Sequence, residues 1–137
     1  MIEPTALVEH DDRWLLPFRG SQVEQIRVSH QLILILDCGA EVTIEAPATL
    51  THGPAWSPTA QPVELVPERQ DVAAALPLFG NRVLSSVVFK TGSLRLVFDS
   101  GLHLNVKPAP DFEAWSVTGP ADLRLVCMSA GDLAIWQ

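Results

Sequence analysis

Tyrosine is absent from this chain, and cysteine and methionine occur only twice each among its 137 residues. Two cysteines could form one bridge in principle but are weak evidence for the disulfide framework that holds small secreted domains together, and a chain of this length that is 47% hydrophobic can bury a core without one. Cys38 and Cys127 are therefore read as free thiols, and residues 1–137 as a single domain. No stretch approaches the roughly 18 apolar residues a spanning helix needs, and the opening residues are acidic where a secretory leader is positive and apolar. The expected location is cytoplasmic, with no membrane attachment.

Positive charge is scarce as well. Nine Lys and Arg stand against 16 Asp and Glu, a formal net charge of −7. Phosphate backbones are held by clusters of Lys and Arg, so nucleic acid and anionic membrane are not expected as partners. The imbalance is also local: residues 1–68 carry three arginines (Arg13, Arg19, Arg27) against ten acids, while residues 69–137 carry six of each sign. An acidic first half is electrostatically complementary to a basic protein.

The motifs of common chemistries are missing. There is no Gly-rich phosphate loop, no GxSxG elbow and no paired CxxC. None of His10, His30, His52 and His103 has another His or Cys within four residues, so neither metal nor cofactor is expected; a metal site would require the fold to gather His52, His103 and Asp99. Cys38 sits in an Asp37-Cys38-Gly39 turn near Glu41, where negative charge opposes thiolate formation, and Cys127 lies in an apolar run. No catalytic residue is assigned.

What the chain does contain is an internal match. LPFRGSQVEQIRV (16–28) aligns with LPLFGNRVLSSVV (76–88) at a spacing of 60, and LILILDCGAEVTI (32–44) with LRLVFDSGLHLNV (94–106) at a spacing of 62. Apolar alternation on both sides of Asp-x-Gly describes two strands joined by a three-residue loop, with glycine in the left-handed conformation. That loop pairs Leu36 with Ala40, Leu34 with Val42 and Leu32 with Ile44, and Phe98 with Leu102, Leu96 with Leu104 and Leu94 with Val106. Each pair is apolar on both sides, so a one-residue slip would turn the core face outward. A preceding strand completes a three-stranded meander in each unit.

Five prolines between 47 and 67 predict an extended connection, and 68–80, ended by Leu76-Pro77, is the one helix candidate. The expected fold is all-β with room for one short helix: an antiparallel sandwich or half-open barrel built from two duplicated three-stranded meanders with pseudo-two-fold symmetry. Unit 1 covers about 16–46, the Pro-rich connection 47–67, unit 2 about 76–107, and C-terminal strands 113–136. Through LRLVFDSGLHLNV, the Glu113-Ala114-Trp115 triplet, the GDLAIW ending and the THGP and PERQ stretches, nearly the whole chain resembles a family of small actinobacterial proteins of unknown function, DUF6188. That resemblance supports one domain and brings no activity, cofactor or catalytic residue with it.

The units differ on the face opposite their core positions. The second presents Arg95, Val97, His103, Asn105 and Lys107, an ordinary half-wet face, whereas the first presents Ile33, Ile35, Glu41, Thr43 and Glu45, an apolar stripe rimmed by acid. Ile33, Ile35, Glu41, Thr43 and Glu45 are the expected partner-binding residues, and Trp56 in the Pro-rich connection is a further candidate anchor. Either a basic protein or a second copy of the chain would occupy the stripe, unless the Pro-rich segment or the 70–76 helix covers it. The expected function is a non-enzymatic protein-binding module of immunity or antitoxin type. The alternatives are a small-ligand-binding β domain with a cavity between the meanders, and a hydrolase whose site is assembled only by folding. If the stripe is an interface, a protein carrying both Ile33→Lys and Ile35→Lys stays folded but loses, in a pull-down at low salt, the partner that the unsubstituted protein retains; unchanged retention removes the stripe as the site.

Overall fold

The computed structural model describes residues 6–137. Among them, the chain runs through β1 (Val8–Glu9), β2 (Arg13–Leu15), β3 (Val23–Val28), β4 (Leu32–Leu36), β5 (Glu41–Ile44), β6 (Ala48–His52), β7 (Val63–Leu65), β8 (Val83–Phe89), β9 (Leu94–Phe98), β10 (Leu102–Val106), β11 (Trp115–Thr118), β12 (Arg124–Cys127) and β13 (Leu133–Trp136). They form two antiparallel sheets: a seven-stranded one ordered β1-β2-β8-β9-β10-β6-β7 and a six-stranded one ordered β13-β12-β11-β5-β4-β3. The arrangement is a sandwich and not a closed barrel. No helix among the described residues is long and apolar enough to cross a membrane.

The two meanders, β3-β4-β5 and β8-β9-β10, lie in different sheets. Their registers are those the alternation dictates: Leu32 faces Ile44 and Leu34 faces Val42 in one, Leu94 faces Val106 and Leu96 faces Leu104 in the other. Gly39 and Gly101 turn the hairpins at φ of +94° and +90°. Each first strand also carries an irregularity at the same place, between Val23 and Gln25 and between Val83 and Ser85. An extra residue there, Glu24 or Leu84, steps the strand out of alternation.

The strand that follows each meander crosses to the other's sheet. β6 leaves the first unit and pairs with β10, and β11 leaves the second and pairs with β5. The sheets are joined where the first strands of the units begin, by a bridge between Gln22 and Arg82. Around it the hydrogen bonds come in matched pairs: Val23 N–H to Asn81 O and Val83 N–H to Ser21 O, Gly20 N–H to Val83 O and Gly80 N–H to Val23 O. Side chains repeat the exchange, with Gln22 Nε2 donating to Gly80 O at 3.0 Å and Arg82 Nη1 to Gly20 O at 2.9 Å. Asp37 and Asp99 complete it by accepting the backbone N–H of Gln22 and of Arg82, each at 3.0 Å. These carboxylates thus fix the start of the neighbouring strand as well as opening their own turns.

Both sheets turn their alternate residues inward onto one apolar cluster containing Phe18, Leu34, Phe98, Leu104 and Trp115, all fully buried. The Trp115 indole N–H donates to Gly92 O at 2.9 Å, which satisfies the polar tip of the largest buried ring. Cys127 is buried here and Cys38 half-buried at its turn; both are free.

Two expectations need correction. The segment 47–67 is not wholly an extended connection, because Ala48–His52 and Val63–Leu65 form a hairpin of the seven-stranded sheet. Pro47, Pro54, Pro58 and Pro62 flank these strands without entering them, so the ladder loses no donor. The helical segment is two 3-10 turns, Pro67–Arg69 and Ala73–Leu78, and the second runs through Pro77 instead of stopping before it. Proline costs least in so short a helix, where few N–H groups have a helical acceptor.

The carboxylates at the junction set a stability prediction. Asp37→Ala and Asp99→Ala each leave a strand-initiating N–H without its acceptor and are expected to cost about 1–2 kcal/mol in urea unfolding. The Asn variants, which keep an oxygen in place, should cost clearly less; equal losses for Ala and Asn would mean that the hydrogen bond is not what stabilises the junction.

Candidate functional site

Strand alternation that sends Leu94, Leu96 and Phe98 into the core sends Arg95 and Val97 to the opposite face of the seven-stranded sheet. Cross-strand pairing sets His103 beside Val97 and Asn105 beside Arg95 on β10, and Thr51 and Thr49 beside those two on β6. Over this face folds the loop between β6 and β7. Gly53, at φ +78°, turns the chain back, held by Gly53 N–H to Gly101 O at 2.8 Å and by Thr51 Oγ1 to Gly53 O at 2.7 Å. Prolines then keep the loop out of the sheet, and it closes on itself through Ser57 N–H to Pro54 O and Ala60 N–H to Ser57 O.

Sheet and loop border an open recess of about 560 Å³. Its floor is Arg95, Val97, His103 and Asn105, its side Ser85, Phe89, Thr91 and Ser93, and its roof Pro54, Ala55 and Trp56. The Trp56 ring is 82% exposed at the mouth, an unusual placement for so large an apolar group. No Asp or Glu is among the described residues of the lining.

Two polar atoms on the floor have no partner among the described residues. Arg95 Nε and Asn105 Nδ2 are buried without a hydrogen-bond partner. The ion pairs among the described residues are Arg13–Asp12, Arg27–Glu41 and Lys90–Glu9, none of them involving Arg95. The guanidinium lies against Phe89, 5.1 Å from the ring centroid, and Arg13 lies 4.9 Å from the same ring. Partial burial first, then the Arg13 charge, pull the Arg95 pKa below its usual range. Partial burial and the nearby Arg95 likewise hold His103 below its usual 6.5. Its imidazole is therefore neutral near pH 7 and offers one donor and one acceptor.

The five residues expected to bind a partner, Ile33, Ile35, Glu41, Thr43 and Glu45, all lie half-buried on the outer face of the six-stranded sheet. Ile33 sits between Arg27 and Thr43, and Ile35 between Gln25 and Glu41. Arg27 reaches Glu41 at 3.8 Å and offsets part of the acidic rim. The Pro-rich loop lies over the other sheet, against Arg95 and His103. Acids of the first half are spread as well: Glu9 and Asp12 flank β2, and Glu64 lies on β7, both in the seven-stranded sheet.

The histidine grouping does not form. Asp99 is held at the β9–β10 turn by Arg82, and among the described residues no three His, Cys, Asp or Glu side chains come together as metal ligands. Nor does the recess lie between the two meanders; it opens on the outer face of one of them. The signal for it was present in the comparison of the units, since Arg95, His103 and Asn105 stand where the first unit has Ile33, Glu41 and Thr43. What could not be read from sequence was that β6 would carry the Pro-rich loop across to the second unit.

A two-sheet antiparallel sandwich with a loop-roofed recess on one outer face is the class of structure these observations define. The chain belongs to a family of unknown function (DUF6188), whose family model matches residues 14–137. No curated protein and no solved structure matches it.

The histidine carries a pH prediction with a fixed sign. Because its folded-state pKa lies below 6.5, the unfolded chain takes up the proton first, so the contribution of His103 to stability is full above about pH 6.5 and is lost as the pH falls toward the lowered value. His103→Asn is expected to flatten the decline in urea midpoint between about pH 7.5 and about pH 5.5 relative to the unsubstituted protein. Parallel declines would show that His103 titrates alike in both states.

Proposed function

We propose that this protein is a non-enzymatic ligand-binding β domain that holds a small molecule in the recess between the outer face of β8-β9-β10 and the Pro-rich loop. The observation that carries the reading is the pair of buried donors on the floor, Arg95 Nε and Asn105 Nδ2, for which the described residues supply no acceptor. Unsatisfied buried donors are rare in folded proteins, and at a concave surface a ligand is the natural acceptor. A recess of about 560 Å³ also falls in the range of small-molecule sites, roughly 300–1,000 Å³. The described lining residues include no carboxylate, and no hydrogen bond joins a lining hydroxyl to His103, which favours binding over turnover.

A second reading keeps the outer face of the six-stranded sheet as a protein-binding surface of immunity or antitoxin type, with Ile33, Ile35, Glu41, Thr43 and Glu45 meeting a basic partner or a second copy. The half-buried Ile33 and Ile35 together, where the second unit has Arg95 and Val97, favour it. The free thiols suit a cytoplasmic location for either reading. The matched junction and strand irregularities support an origin of the two units by internal duplication.

Ligand binding is tested by adding a fragment library to isotope-labelled protein. Hits are expected to shift the Trp56 indole resonance together with the backbone amides of Arg95, His103 and Asn105. A Val97→Trp variant, which fills the floor, should fold and lose those shifts. Hits that map elsewhere, or that persist unchanged in the filled variant, would remove the recess as the binding site.

A further inference from the structure

Arg95 sets the chemistry of what the recess would hold. Among the described lining residues Arg95 is the one permanent charge, and none of them is a carboxylate that would balance it. The nearest other cation, Arg13, adds repulsion and has its own partner: Asp12 accepts from it at 2.9 and 3.0 Å. In a chain with 16 acids an arginine is easily neutralised, yet on this floor the residue directly across from Arg95 is the amide Asn105. The equivalent positions of the first unit hold Ile33 and Thr43, so the shared fold requires neither the charge nor the amide. A guanidinium and an amide side by side present several N–H donors, the pattern that matches a carboxylate or phosphate head. Phe89, Val97 and Trp56 supply flat or apolar surface around these polar groups.

Resting on the binding reading above, we propose that the ligand is a small organic anion: a carboxylate or phosphate head held by Arg95 and Asn105, on a flat apolar body lying between Trp56 and the Phe89–Val97 side. The single cation and the limited volume select a small molecule with one charged head. A cationic ligand would find no counter-charge here, and a neutral one would leave the guanidinium without its anion.

Three probes with one ring system separate the alternatives: 2-naphthoate, 2-naphthyl phosphate and the neutral 2-naphthylmethanol, each titrated to millimolar concentration and followed by Trp56 fluorescence and calorimetry. At least one anion is expected to bind tenfold or more tightly than the alcohol, and the stronger of the two identifies the head group. Arg95→Gln should abolish that preference and leave the alcohol unchanged, whereas Arg95→Lys should keep part of it. Asn105→Asp places a carboxylate opposite Arg95; it should reduce anion affinity at least tenfold without lowering the unfolding midpoint, which shows the loss is not misfolding. If the alcohol binds as tightly as the anions, or the preference survives Arg95→Gln, the anion proposal fails while the recess remains a ligand site. If none of the three binds, the anion proposal fails, and fragment hits at the recess then decide separately whether it is a ligand site.

Discussion

The exchange of hydrogen bonds across the Gln22–Arg82 bridge is the constraint on which the rest of the molecule depends. Here two chain segments from different sheets donate to and accept from each other in pairs, through backbone and through the Gln22 and Arg82 side chains, while within each unit Asp37 and Asp99 hold the Gln22 and Arg82 N–H groups in place. An antiparallel sheet left to itself presents unpaired N–H and C=O groups along its edge strand. In this molecule the beginnings of β3 and β8 pair with one another, so two sheets become one sandwich with its inner faces opposed. The irregularities just after the bridge, at Glu24 and Leu84, follow from the same requirement. A strand that must first serve the junction and then its own hairpin needs one extra residue to change direction.

From that junction the position of the recess follows. Once each meander occupies its own sheet, the chain leaving β5 meets the open side of β10, and the chain leaving β10 meets that of β5. β6 is thereby fixed beside His103 and Asn105, and whatever follows β6 must turn over the outer face of the second unit or run off into solvent. Gly53 and the prolines choose the first course. The corresponding turn after β11 is the short Gly119–Leu123 stretch, closed by Gly119 N–H to Leu123 O, which has no length to spread over a sheet. Two units of the same core geometry therefore present unlike outer faces, one open and one roofed.

Much of this was legible in the residues. Alternation on both sides of Asp37-Cys38-Gly39 and Asp99-Ser100-Gly101 specifies the hairpins and their register, because any other pairing exposes Leu34, Val42, Leu96 and Leu104. Burial of Cys127 in its apolar run, and the strands within residues 113–136, follow from the same periodicity. What the sequence hid was non-local. Ala48–His52 reads as linker between Pro47 and Pro54, and it is a strand only because β10 offers it a full ladder on one side and β7 on the other. Arg95, His103 and Asn105 read as an ordinary wet face, since nothing near them in the chain announces a roof drawn from residues 54–56.

The electrostatics of the two scales then work together. At a distance a protein of net charge −7 repels anions, and at physiological salt that repulsion decays over about 8 Å. Inside the recess the local sign is reversed, because the described lining residues include Arg95 and no carboxylate. On the proposed reading, a polyanion would have to place many charges within the repulsive field to bring one of them to Arg95. A small monoanion crosses the field with one charge and exchanges water for a partly desolvated guanidinium, where the interaction is stronger than at the surface. On the proposed reading, acidity outside and a lone cation inside are a filter: the first selects against large anions, and the second supplies the attraction that a neutral floor would lack.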